Sequence, residues 1–104
     1  MSDIHRIRLR DPWERKPLPD GRTRFTRRFG RPTNLGAASV RLILEGRTTL
    51  AEVWLNGERL GELDGDGAFE VTGRLAERNG VEVRTTGELG EVALEVRDPD
   101  QPGA

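Results

Sequence analysis

Three groups of residues carry enough chemical character to be candidates for function. The first is Trp54 with Glu52 and Arg59. In the run Leu50 to Leu55, Ala51, Val53 and Leu55 share one parity, so a strand here turns Glu52 and Trp54 to the other face. Asn56-Gly57 follows, the residue pair that best suits a two-residue type I′ turn, in which both positions need positive φ. Such a turn pairs Leu55 with Glu58, Trp54 with Arg59 and Val53 with Leu60. It lays the Arg59 guanidinium against the indole, a cation–π contact contributing about 0.5–1 kcal/mol at an exposed site. An indole presented this way suits stacking on a sugar ring or burial in a protein partner. The competing expectation is that Trp54 packs beneath the first strand or the Asp-Pro-Trp-Glu-Arg-Lys-Pro segment of its own chain.

The second candidate is Trp13, set among prolines beside Glu14, Arg15 and Lys16. It reads either as a plug at one end of the fold or as an aromatic in a ligand-recognising loop. The third is the acidic stretch Glu62, Asp64, Asp66, Gly67, which alternates like the opening of a calcium loop. Its first ligand position is Glu, however, and position twelve is Gly73, where a bidentate Glu is required. Asp64 and Asp66 are therefore weak metal candidates, and an Asp/Gly-rich turn explains them with less.

Catalytic patterns are missing. His5 is the only histidine and there is no cysteine, which excludes disulfides, thiolate metal sites and a second imidazole. No nucleophile–histidine–carboxylate arrangement assembles around His5, and no apolar pocket is evident that would raise the pKa of one carboxyl of a pair. Phosphate-binding glycine motifs are absent. The residues point to a non-catalytic domain without a cofactor.

The elements that must position these side chains are strands. Period-two alternation runs through Ile-His-Arg-Ile-Arg-Leu-Arg, with Ile7 and Leu9 on one face. It recurs in Ala38 to Gly46, where Ile43 interrupts the polar side and predicts partial cover there. Phe25, Arg27 and Phe29 share a parity, which predicts a bulge or an edge position for their strand. About eight strands result, with at most one helical turn near Thr72 to Gly80. The fold class is all-β, a two-sheet antiparallel sandwich or small barrel. The expected inward set is Leu9, Phe25, Val40, Leu42, Leu44, Val53, Leu55, Leu60, Phe69, Val71, Leu75, Val81, Val83, Val92, Leu94 and Val96. A single domain is expected over 1–97, with a disordered tail over 98–104.

The net charge of −1 argues against nucleic acid as a partner. That total hides a division: residues 1–47 carry 12 Arg or Lys and 5 Asp or Glu, net +7, whereas 48–104 carry 5 and 13, net −8. The division predicts that early and late strands lie side by side and pair their charges; a basic surface for phosphate or an acidic partner is the alternative. The N-terminus has no apolar signal region and no run is long enough to span a membrane, so a cytoplasmic location without membrane partners is expected.

The segment Val40 to Leu63 resembles part of the jelly-roll domain that opens family 2 glycoside hydrolases, the β-galactosidases and β-glucuronidases. The matching positions are Ala51, Val53, Trp54, Leu55, Asn56, Gly57 and Gly61. Gly67 to Thr85 and Gly90 to Arg97 are similar to downstream segments in the same order, although the family's aromatic Gly-Leu-Trp loop is absent. The resemblance covers roughly 22–97. It implies the galactose-binding-like sandwich, and it implies no hydrolysis, because that family's catalytic carboxylates lie on a separate (β/α)8 barrel. The expected function is therefore a binding module, with carbohydrate recognised at a loop end or at the Trp54 face. The alternatives are a protein-interaction or homo-oligomerisation domain using the same face, or an accessory piece of a hydrolase.

Overall fold

The computed structural model describes residues 4–98. The tail expected at 98–104 lies, apart from Asp98, outside the described residues. Nine strands occur and no helix among them: β1 (Ile4–Arg8), β2 (Glu14–Pro17), β3 (Thr23–Gly30), β4 (Ser39–Glu45), β5 (Leu50–Leu55), β6 (Glu58–Asp64), β7 (Gly67–Glu70), β8 (Arg78–Thr85) and β9 (Glu91–Arg97). No helix among the described residues is long and apolar enough to cross a membrane. They form two antiparallel sheets, a four-stranded one in the order β1-β9-β4-β7 and a five-stranded one in the order β2-β3-β8-β5-β6. The all-β sandwich expected from the alternation is the observed fold.

The core lies between the sheets. Val40, Leu42 and Leu44 of β4 and Val92, Leu94 and Val96 of β9 face Val53 and Leu55 of β5 and Val81 and Val83 of β8, all buried. Thirteen of the sixteen expected inward residues are buried; Leu60, Phe69 and Leu75 are half-buried and pack against the cluster. Ile43 is buried on the outer face of its sheet. Arg6, opposite Glu95 in register, crosses to Glu45 at 2.5 Å and so reaches over this row.

Two local expectations are corrected, at β2 and at the pairing of Val53. β2 forms inside a stretch that prolines mark as a loop; as an edge strand it tolerates Pro17, which needs no partner on its open side. β3 carries no bulge, but β2 covers only Thr23 to Thr26, so the half with Arg27 and Phe29 lies at an edge, as their shared parity predicts. Arg27 keeps its inward parity by running its side chain out of the sandwich end, where Nε donates to Arg10 O at 2.6 Å and Nη1 to Arg28 O at 3.0 Å. Ile7, which shares a face with Leu9 and is not in the expected inward set, is exposed because β1 is an edge strand. Finally, Val53 pairs with Gly61 rather than Leu60, across a bulge. Without that extra residue Glu62 would take core parity and Leu63 would face water. The bulge exchanges them, and Gly61, at φ +150°, lets the Phe69 ring approach to 3.0 Å of where a Cβ would stand.

Early and late strands do lie side by side, and their charges pair: Arg6 and Arg41 with Glu95, Arg8 with Glu91, Arg22 with Glu52, Arg24 with Glu82. One arginine is handled differently. Arg47, in the link between β4 and β5, is only 6% exposed. Its Nε donates to Leu89 O (3.0 Å), Nη1 to Thr49 O (3.1 Å) and Gly65 O (3.0 Å), and Nη2 to the Thr85 hydroxyl (2.7 Å). Burial pushes its pKa below the ordinary value, and the nearby Asp66 carboxylate opposes that shift. One guanidinium thereby ties three loops to β8.

Candidate binding site

The outer face of the five-stranded sheet is built by register. Counting across the sheet, Glu14, Thr26, Glu82, Trp54 and Arg59 form one row, and Lys16, Arg24, Arg84, Glu52 and Glu62 the next. The alternation that buries Val53, Val81 and Val83 throws all ten outward. Glu52, Trp54 and Arg59 therefore project from one surface. The Asn56-Gly57 turn that sets the pairing has positive φ at both residues, 51° and 83°.

Their contacts differ from the expected ones. Arg59 donates from Nε to Glu52 at 3.2 Å and lies 3.4 Å from Glu62, so two carboxylates hold it and it does not lie on the indole. The cation over Trp54 is Arg84, 4.5 Å from the ring centroid. Trp54 stands opposite Glu82 on β8, so Arg84 is its diagonal neighbour on one side and Gly80 on the other. Sequence parity places Arg84 on the outer face, but nothing local says that β8 lies beside β5. Glu52 also accepts from Arg22, and these two arginines, Arg22 foremost, hold its carboxyl below the usual glutamate range. Arg22 similarly lowers Asp20, through the Arg22 backbone N–H first and the guanidinium second.

Trp54 is half-buried at the wall of a shallow concavity of about 830 Å³ whose floor includes Gly80 and whose rim includes Asn56, Arg27 and Arg28. A Cβ at Gly80 would meet nothing within 4 Å. The Asn56 side chain is spent on the fold: its Oδ1 accepts from Gly80 N–H (2.8 Å) and its Nδ2 donates to Asn79 Oδ1 (2.9 Å). Asn79 in turn holds Ala76 through its amide, donating to the carbonyl and accepting from the N–H. The tight turn is thus latched to the segment that leads into β8.

The remaining candidates lie elsewhere. Trp13 is half-buried in a separate hollow with Leu9, Phe25 and Leu89, and its Nε1 donates to Leu9 O at 2.9 Å, the geometry of an end plug. Asp64 ends β6 opposite Leu50, while Asp66 accepts the Arg47 backbone N–H at 2.9 Å. Among the described residues no group of three or more His, Cys, Asp or Glu side chains is placed to hold a metal. His5 sits opposite Val96 on β1, far from any cluster of this kind.

The sequence matches no protein-family model, and no curated protein matches it. Solved structures do. A Bifidobacterium dentium β-glucuronidase complexed with coumarin-3-O-glucuronide superposes with a TM-score of 0.79 at 15% identity, over 93% of this chain and 30% of that one. A β-D-glucuronidase of Dictyoglomus thermophilum gives 0.77 at 11% identity, over 93% and 28%. A β-D-mannosidase of the same organism gives 0.56 at 30% identity, over 62% and 9%. The chain shares a fold with part of glycoside hydrolases. It spans less than a third of the length of these enzymes.

Proposed function

We propose that this chain is a non-catalytic carbohydrate-binding module whose recognising surface is the Trp54 concavity. The observation that carries the reading is an indole braced on one side by Arg84 and bordered on the other by a floor without side chains, a width of two strand spacings or about 10 Å. A pyranose ring fits such a shelf, with its C–H face against the indole and its hydroxyls toward the rim. Two carboxyl groups, one on this sheet and one in the link before β3, support a role without hydrolysis. Glu52 and Asp20 are held below their usual range, opposite to what a general acid needs.

Titrating the protein with oligosaccharides while following indole fluorescence tests this. Binding that quenches emission and disappears in Trp54→Ala, with a melting temperature lowered by only a few degrees, supports it. Trp54→Ala binding as well as the native chain overturns it. The likeness to part of several glycoside hydrolases favours a second reading, an accessory domain that docks on a catalytic partner or on its own copy through this same face. Sedimentation separates the two, since docking makes Trp54→Ala lighter in mass while sugar binding leaves the mass unchanged.

A further inference from the structure

We propose that the slot over Gly80 selects saccharides bearing an anionic group, a carboxylate or a sulfate, with Arg28 as its principal anchor; this rests on the sugar-binding reading above. Gly80 does not have positive φ, so its backbone would accept any residue, and a strand beside two neighbours ordinarily favours a side chain. Here the missing side chain leaves open space instead of making room for a neighbour. Arg28 stands directly opposite Gly80 on β3, is exposed, and has no acidic partner among the described residues.

The donors around the slot outnumber the acceptors. Arg24, Arg27, Arg28 and Arg84 line it against Glu14 and Glu82. Glu82 is already engaged by Arg84 at 2.6 Å and by Arg24 at 3.1 Å, yet the Arg24 Nε makes no aligned hydrogen bond. Arg27 spends Nε and Nη1 on backbone carbonyls and leaves Nη2. Asn56, which would otherwise read a hydroxyl, is committed to Asn79 and Gly80. A neutral sugar offers these guanidinium N–H groups only uncharged oxygens, and each of its hydroxyls adds a donor where few acceptors are free. A ring carrying an oxyanion supplies acceptor oxygens in the fork geometry that arginine prefers.

The test uses the intact chain and four probes: a neutral glucan tetrasaccharide, a uronic-acid tetrasaccharide, a sulfated galactan tetrasaccharide and inorganic sulfate. The expected result is binding of one or both anionic tetrasaccharides, weakened by salt, with the neutral one weaker by about tenfold or more, the scale of one charge-assisted hydrogen bond. Which of the two binds tells carboxylate from sulfate. Arg28→Ala should lose a similar factor with Arg28→Lys in between, and Gly80→Val should block binding with the melting temperature unchanged. Neutral and anionic tetrasaccharides binding equally would overturn the anion selectivity and leave the sugar-binding reading standing. If no saccharide binds, both fall. Inorganic sulfate binding as tightly as the tetrasaccharides, or anionic binding that survives Arg28→Ala, would place the anion outside this slot and overturn the assignment.

Discussion

At the corner between β4 and β5, a guanidinium and a glycine are pressed together. A Cβ on Gly90 would stand 2.3 Å from Glu45 O and 2.5 Å from Arg47 Cγ, and Arg47 donates four hydrogen bonds to its own chain. On the outer face of the five-stranded sheet the same two residue types stand apart, Gly80 under open space and Arg28 with its donors turned to water. The contrast separates two uses of one composition. Where every donor nitrogen finds an acceptor of the same chain and no volume is left, arginine and glycine are structural. Where donors and volume are both left over, they are available to a ligand.

The largest effect should come from closing the corner's missing volume. Gly90→Ala adds a methyl against a backbone oxygen at a left-handed position, φ +79°. A loss of about 3 kcal/mol or outright failure to fold is expected in urea denaturation. A loss below about 1 kcal/mol would mean that the corner yields and that the contrast is overstated.

Next comes Arg47→Met, which keeps much of the stem and orphans the Leu89 and Gly65 carbonyls. Thermal unfolding should register about 2–3 kcal/mol, against less than about 0.5 kcal/mol for Arg28→Ala. Equal costs for the two arginines would erase the distinction.

Acid should act on the open face before the guanidinium contacts of the corner, whose acceptors are neutral oxygens. Arg22 and Arg59 lower the Glu52 pKa, so its stabilising share is complete above the unfolded value of about 4.3 and is lost as pH falls through the lower folded value. Glu52→Gln should therefore lower stability slightly at neutral pH, since exposed pairs contribute little, and converge with the native chain in acid, flattening the acid limb by that same amount. An unchanged acid limb would remove Glu52 from the pair network.

The smallest change in stability should come from Gly80→Val. Its space is open and valine suits a strand, so the fold should be unaffected or gain up to about 0.5 kcal/mol. A loss above about 1 kcal/mol would make Gly80 a structural glycine like Gly90.

Alternation alone disclosed most of the sandwich, because a strand with one wet face writes its burial in parity; Val53, Val81, Val83, Leu42 and Leu94 follow from that rule. The Asn56-Gly57 turn was legible for the same local reason, since few residue pairs accept positive φ twice. The Glu52–Trp54–Arg59 surface was legible as far as parity reaches, and the resemblance to family 2 glycoside hydrolases anticipated the kind of structure that the fold superposes on. What tertiary structure decided is everything set by which strands are neighbours. The partner of Trp54 is Arg84 rather than Arg59 because β8 lies beside β5 and because two carboxylates outbid a ring for Arg59. Only the packed fold brings the Phe69 ring of the opposite sheet against Gly61 at the bulge. Arg47 reads in sequence as one more surface arginine and becomes a buried hub only when three loops converge on it. Local geometry propagates through a few residues and can be read from them, whereas contacts between strands distant in sequence come into being only with the packed fold.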